Sequence, residues 1–396
     1  MMEWGTMHFT GPSPEEIVQL DPPTRQAPFS AINWFPSRPN LARFNAGCHS
    51  RLEASEAGEH HRLPLSKQAI WSHLLYLTNE AQVSGLLSIP SRTSTTPYYR
   101  PLLVGLHGGT YFSSYFANDT ASSALSIAAS LGVPFISVDR PGYKDSTALP
   151  SVPAGSTFLQ EEGKYLHQHI LPAVWQAYGA AAEATTVVIL AHSLGAPGAI
   201  VAAALHAREQ QQHTYPCGGL IMSGWGTVHA RPREAAKHMM DTLTVDGRIN
   251  WPLEHKDAPM FGATPEDLAL RVSPDVLALT SQLDHSMSRG EIEDGTFTWL
   301  DYWSDYAKHV QWPIMYGMAQ HDALWKTTRE NVEDFARAFT SSQRVERGVV
   351  LEAPHCMELS YWGPGWIARC VGFAIECAAV EGVKRATQGE KLSLGI

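Results

Sequence analysis

Cysteine is sparse and unpatterned in this chain. Cys48, Cys217, Cys356, Cys370 and Cys377 are odd in number, and no two stand at C-x-x-C spacing, which removes the usual zinc and redox motifs and leaves free buried thiols as the expectation. Clustered basic charge is missing as well. Lys and Arg number 29 against 39 Asp and Glu, for a net charge of -10, and this argues against nucleic acid or an anionic membrane as a main partner. Long apolar runs are absent. Stretches such as Ala199 to Leu205 fall far short of a bilayer span. The first residues have no basic start followed by an apolar run, so no secretory signal is expected, and the last six residues match no targeting address. A soluble, cytoplasmic protein is the expectation. No His-Glu-x-x-His, Walker loop, EF-hand or glycine-rich dinucleotide fingerprint occurs, so neither metal nor cofactor is expected. The pair His60-His61 has no third ligand at a fixed spacing and reads as a solvated loop.

What is there is an alternation of strands and helices. Residues 1–66 are proline-rich and irregular, and are expected to be an extension packed on the core. From Gln68, Ile70 to Thr78 and Val83 to Pro90 predict a β-hairpin. Pro101 to Leu106, Val133 to Val138, Thr186 to Leu190 and Gly219 to Ser223 are short apolar runs of the sort buried on both faces of a parallel sheet. Helical patterns separate them: Thr120 to Leu131, Phe158 to Tyr178 with a kink near Pro172, and Leu194 to Ala207. The alternation lapses over 226–311, then resumes with strands at Trp312 to Met318 and Arg344 to Leu351, each followed by a helix. The pattern predicts an α/β fold, a mostly parallel doubly wound sheet with an inserted helical lid. Residues 67–225 and 312–396 would form the core and 226–311 the lid.

The sharpest chemical signal is Ala191-His192-Ser193-Leu194-Gly195, between an apolar strand and a small-residue helix. A serine on such a tight turn has its hydroxyl thrust out above the sheet, and the backbones crowd so closely that the residues two either side must be small. The helix that follows turns its N–H groups and positive dipole end toward the serine, which favours a developing oxyanion.

In these residues the chain resembles the α/β-hydrolase family, whose nucleophile turn reads G-x-S-x-G, with Ala191 in place of the first glycine. The resemblance implies a serine nucleophile, then an acid, then a histidine, the latter two after late strands. Asp322, in Ala319-Gln320-His321-Asp322, looks like the acid. His355, in Ala353-Pro354-His355-Cys356-Met357-Glu358-Leu359, looks like the base. A serine hydroxyl is a poor nucleophile until a base takes its proton, and a carboxylate on the other ring nitrogen fixes the tautomer. The loop His107-Gly108-Gly109-Thr110 matches the family's oxyanion segment, so Gly109, then Thr110, would join the Leu194 N–H in an oxyanion hole. His107 is expected to stabilise the loop by hydrogen bonding. Val138 to Ser146 is similar to the family's turn after the next strand, with Lys144 replacing its second glycine. Tyr111, Trp225 and His192 are the candidates for substrate contact, with plain core packing as the other reading of each.

The chain is also similar to fungal α/β-hydrolases of secondary-metabolite biosynthesis. That resemblance implies an ester, thioester or lactone of a bulky apolar small molecule, opened through an acyl-serine. Two further readings stay open: acyl transfer or C–C cleavage, cyclisation or elimination with the same three residues, and a non-catalytic ligand receptor on the fold. A homodimer is compatible with the sequence.

Overall fold

The computed structural model describes residues 71–118, 120–209 and 213–388. The expected N-terminal extension, His60-His61 and Cys48 lie outside them. In chain order, β1 (Trp71–Tyr76) and β2 (Gln82–Ser88) precede β3 (Pro101–Leu106), α1 (Ala124–Ser130) and β4 (Phe135–Val138). Then come α2 (Phe158–Tyr165), α3 (Leu171–Tyr178), β5 (Thr186–His192), α4 (Gly195–Arg208) and β6 (Cys217–Ser223). The segment expected as a lid holds α5 (Arg233–Leu243), β7 (Thr244–Val245), β8 (Arg248–Ile249), α6 (Leu253–Phe261), α7 (Pro265–Arg271), α8 (Pro274–Leu279), β9 (Met287–Ser288), α9 (Arg289–Phe297) and α10 (Trp299–Ala307). The chain then returns through β10 (Ile314–His321), α11 (Arg329–Arg337), β11 (Val345–Pro354) and α12 (Gly363–Thr387).

The main sheet has the order β1-β2-β4-β3-β5-β6-β10-β11. The first two strands pair antiparallel with their neighbours, and every pairing from β4 to β11 is parallel. Every residue of β3, β4, β5 and β6 is buried, as strands covered on both faces require. Alternate side chains feed two cores. Val187, Ile189 and Ala191 join a cluster with residues of α2, α3, α4 and α10, while Val188 and Leu190 join a cluster with α1 and α12. Because all six parallel strands run the same way, the loops at their C-terminal ends share one edge of the sheet.

Local departures from expectation have local causes. The first helix begins at Ala124 rather than Thr120, because the Ser123 side chain accepts from the Ser126 N–H and caps it there. The run from Phe158 to Tyr178 stays helical but passes through a π turn at Leu166–Ile170, directly before Pro172, which has no N–H for the ladder and whose ring crowds the carbonyl one turn back. The lid segment carries three two-residue strands, β7-β8-β9, too short to leave any period in the sequence. Among the described residues, no helix is long and apolar enough to cross a membrane.

Candidate active site

β5 ends at His192, and Ser193 turns the chain into α4 with φ of 50°, in the left-handed region that side-chain-bearing residues enter at a cost. Its N–H donates to the Ser223 carbonyl at 2.8 Å, and its own carbonyl accepts from Ala196 at 2.9 Å. The crowding inferred from the sequence is present on both sides. Ala191 is fully buried, and a Cβ added to Gly195 would stand 2.5 Å from the Leu106 carbonyl oxygen and 2.9 Å from that of His107.

The loops after β10 and β11 bring two more of the expected residues to this turn. His355 Nε2 lies 3.1 Å from Ser193 Oγ, and His355 Nδ1 lies 2.7 Å from Asp322 Oδ2. The carboxylate can only accept, so Nδ1 carries the proton and Nε2 is left free to accept from the serine. The other carboxylate oxygen, Oδ1, accepts from the Leu324 and Trp325 N–H groups at 2.9 Å each. His355 and Asp322 side chains are buried to within 1% of complete, which shields the series from competing water.

Leu194 is the N-cap of α4, so its N–H precedes the intrahelical ladder and has no partner within it. The loop after β3 presses against it: a Cβ on Gly109 would meet Leu194 Cδ1 at 2.6 Å and Met287 Sδ at 2.9 Å. Next in the chain, Thr110 is buried at φ of 63°, a strained conformation for a β-branched residue. The lid segment holds it there. Lys256 Nζ donates to the Thr110 carbonyl at 2.8 Å and also pairs with Asp284 at 2.7 Å, and the His285 N–H donates to the same carbonyl at 3.0 Å. His107 ties this loop to the next: its Nε2 accepts from the Arg140 N–H at 3.1 Å, and Arg140 Nε donates to its carbonyl at 2.7 Å.

A cavity of about 500 Å³ opens over Ser193, with Gly109, Thr110, Leu194 and Trp225 on its wall. Its remaining wall comes largely from the lid segment, including Met239, Trp251, Met260 and Ile292, with Leu324 and Trp325 beyond. Of the three side chains expected to contact substrate, only Trp225 lies on this wall. Tyr111 is turned into the core, with Lys256 Nζ 4.0 Å from its ring centre and the Tyr115 ring edge-on at 5.0 Å. His192 is also corrected to an interior position, stacked on Tyr115 and bonded through Nδ1 to Ser223 Oγ at 2.9 Å. Burial, and then the neighbouring His355, hold His192 well below the usual histidine range, so it stays neutral.

Behind His355 sits a buried acid that the sequence analysis quoted but gave no role. Glu358 accepts from Tyr115 at 2.8 Å, from Trp366 at 3.0 Å and from Ser223 Oγ. Burial raises its carboxyl. It was part of the histidine loop by position, but spacing carries no information about burial. The same holds for Lys256, and for Arg140, which pairs within the protein with Glu162 at 2.7 Å and with Glu291 of α9.

His192, His355 and Cys356 form the one three-residue group among the described residues with ligand atoms close enough for a metal. Both His355 nitrogens and His192 Nδ1 are already engaged, and burial raises the Cys356 thiol well above its ordinary value, so the donor set does not fit a cation.

The fold has many counterparts. An esterase from Thermogutta terrifontis matches 78% of this chain and 99% of its own, at 17% identity and a TM-score of 0.50. The 2-hydroxy-6-oxo-6-phenylhexa-2,4-dienoate hydrolase of Rhodococcus sp. strain RHA1 matches 78% and 100%, at 10% identity and a TM-score of 0.55. A hydrolase from Pseudomonas aeruginosa matches 76% and 97%, at 13% identity and a TM-score of 0.51. No curated protein matches by sequence. The model of the alpha/beta hydrolase family matches residues 103–364, more than half of the chain. The chain is therefore an enzyme of the α/β-hydrolase family.

Proposed function

We propose that this enzyme is a serine hydrolase that opens an ester, thioester or lactone of a bulky apolar small molecule through an acyl-serine. The observation that carries the reading is the hydrogen-bonded series Asp322, His355, Ser193 beside a largely apolar cavity. In the first half-reaction His355 Nε2 accepts the Ser193 proton while Oγ bonds to the substrate carbonyl carbon. The electron pair displaced onto the carbonyl oxygen is met by the N–H groups of Leu194 and Gly109, with Thr110 as the further donor. Collapse of this adduct expels the alcohol or thiol, which takes the proton from His355. Water then attacks the acyl carbonyl and gives a proton to His355, and as the adduct collapses His355 returns that proton to Ser193 Oγ, freeing the acid and the serine. Asp322 holds the histidine tautomer and offsets the charge on the ring in both halves.

On the resemblance drawn from the sequence, we place the substrate among polyketide-like esters or lactones of secondary metabolism. The test is a series of p-nitrophenyl esters of graded acyl length against wild type and Ser193→Ala, with mass spectrometry after a fluorophosphonate probe. The expected result is turnover that falls by a factor of about 10⁴ or more in Ser193→Ala, with the probe on Ser193. An inert wild type whose Ser193 stays unlabelled would overturn the reading.

A further inference from the structure

The cavity over Ser193 is apolar along most of its wall, yet the charged side chains described on it are of one sign. Arg231, just before α5, and Arg233, its first residue, line it together with His229 and His255, and no Asp or Glu does among the residues whose side chains are described. In a chain with 39 acids and 29 bases, such a wall departs from the average surface. Neither arginine has an ion-pair or side-chain hydrogen-bond partner among the described residues, whereas Arg271, Arg289, Arg337, Arg344 and Arg347 all pair with carboxylates.

Position supports a role for them. The His229 ring stacks on Trp325 at 4.5 Å, both on the cavity wall. Arg233 lines the same cavity as this ring pair, and burial, then the Arg233 charge, lower the proton affinity of His229. Three buried polar atoms of wall residues, Thr110 Oγ1, Trp225 Nε1 and His229 Nε2, also have no hydrogen-bond partner among the described residues. Buried polar groups are normally satisfied, and three orphans on one cavity imply a polar occupant. Ser193 is nearly buried while Arg231 is exposed, so an anion at the arginines would lie nearer to solvent than the scissile carbonyl.

On the serine-hydrolase reading above, we propose that the substrate is an anionic amphiphile: an apolar body that fills the cavity and a carboxylate or like oxyanion, remote from the scissile bond, held by Arg231 and Arg233. Guanidinium forks match such oxyanions in geometry as well as charge. They also offer a local attraction to an anion that the net charge of the protein would otherwise repel.

The test compares two p-nitrophenyl esters of equal chain length, p-nitrophenyl octanoate and the mono-p-nitrophenyl ester of octanedioic acid, which ends in a carboxylate. Wild type is expected to favour the carboxylate-ended ester by about fivefold or more in kcat/KM, a preference that shrinks as salt rises. In Arg231→Gln/Arg233→Gln the ratio of the two esters is expected to fall toward one, and Arg231→Lys/Arg233→Lys should recover part of it. A second measurement needs no turnover. Octanoate and octan-1-ol are titrated against Ser193→Ala, with the fluorescence of wall tryptophans Trp225, Trp251 and Trp325 as the signal. Octanoate should bind more tightly, and only while the arginines are present. Hydrolysis of both esters without preference, or a preference that survives in the glutamine variant, would overturn the anion site and leave the hydrolase reading standing. No hydrolysis of either ester, with octanoate still bound in an arginine-dependent way, would remove the hydrolase reading and keep the site.

Discussion

Both carboxylate oxygens of Asp322 are held within the protein, one on His355 and one on the Leu324 and Trp325 N–H groups. Asp322→Asn would keep the shape but present an N–H₂ or a weaker acceptor to Nδ1, so the ring would lose its enforced tautomer. The expected outcome is a fall in kcat of about 10³- to 10⁴-fold with little change in Tm, read from ester kinetics beside a thermal melt. Two glycines at the same turn give a second contrast. An added methyl at position 195 meets backbone oxygen at 2.5 Å, whereas at 109 it meets the ends of Leu194 and Met287, which can move. Gly195→Ala should therefore destabilise by about 1–3 kcal/mol, and Gly109→Ala by clearly less, in denaturant titrations. Ser193, Asp322 and His355 could be picked out in the sequence because each follows the end of an expected strand, in the chain order that the resemblance implies. Tyr111 and His192 take the core-packing side of their two readings: adjacent residues in a strand or turn point to opposite sides, and spacing does not say which side faces the cavity.

At the scale of elements, the lid segment is fixed to the core by buried polar contacts rather than by apolar area alone. Glu291 of α9 pairs with Arg140, its neighbour Asp294 accepts from the Leu159 N–H at 2.8 Å, and Lys256 of α6 holds the Thr110 carbonyl. Glu291→Leu would leave Arg140 with Glu162 as its remaining carboxylate partner. Removing one partner of a buried pair costs more than the pair itself contributes, so a loss of about 3 kcal/mol is expected from denaturant unfolding; a loss under about 1 kcal/mol would contradict the anchoring. The inner strands β3, β4, β5 and β6 were legible because their short runs are largely apolar and buried throughout. The three short strands of the lid, the π turn before Pro172 and the late start of α1 were not, since two-residue pairings and single caps leave no period to detect.

For the whole molecule, burial holds several histidines neutral: His107 and His192 lie well below their ordinary value, and His206 is pulled down to about 4. Each takes up a proton near pH 6.5 in the unfolded chain but resists it in the folded one. The stability this gives is complete above pH 6.5 and is lost as pH falls, by about 1.4 kcal/mol per pH unit for each such group. Glu162 acts in the opposite sense. Burial pushes its carboxyl up to about 7, so its contribution is full below about 4.5 and is lost as pH rises through 7. Burial raises Glu358, Asp139 and Asp257 in the same sense as Glu162, but it also lowers His167, His229 and His285, so lowered histidines outnumber raised carboxyls and acid is the destabilising side. Tm should fall steeply below pH 6.5, and His206→Gln, which can still donate to the Tyr215 carbonyl as His206 Nε2 does at 2.8 Å, should make the slope shallower; an unchanged slope would contradict this account. The fold was legible at this scale because strand and helix alternate. The pH response was not, because composition counts histidines without saying which are dry.

β6 and β10, which bracket the lid segment, are nearest neighbours in the sheet, with Ser223 opposite Gly317. An excursion that leaves and re-enters through adjacent strands can be exchanged as a cassette without re-registering the open sheet beneath it, provided Arg140, the Leu159 N–H and the Thr110 carbonyl are each given a new partner. Diversification of what this enzyme accepts can thus proceed in one replaceable stretch of chain while Ser193, Asp322 and His355 stay where they are.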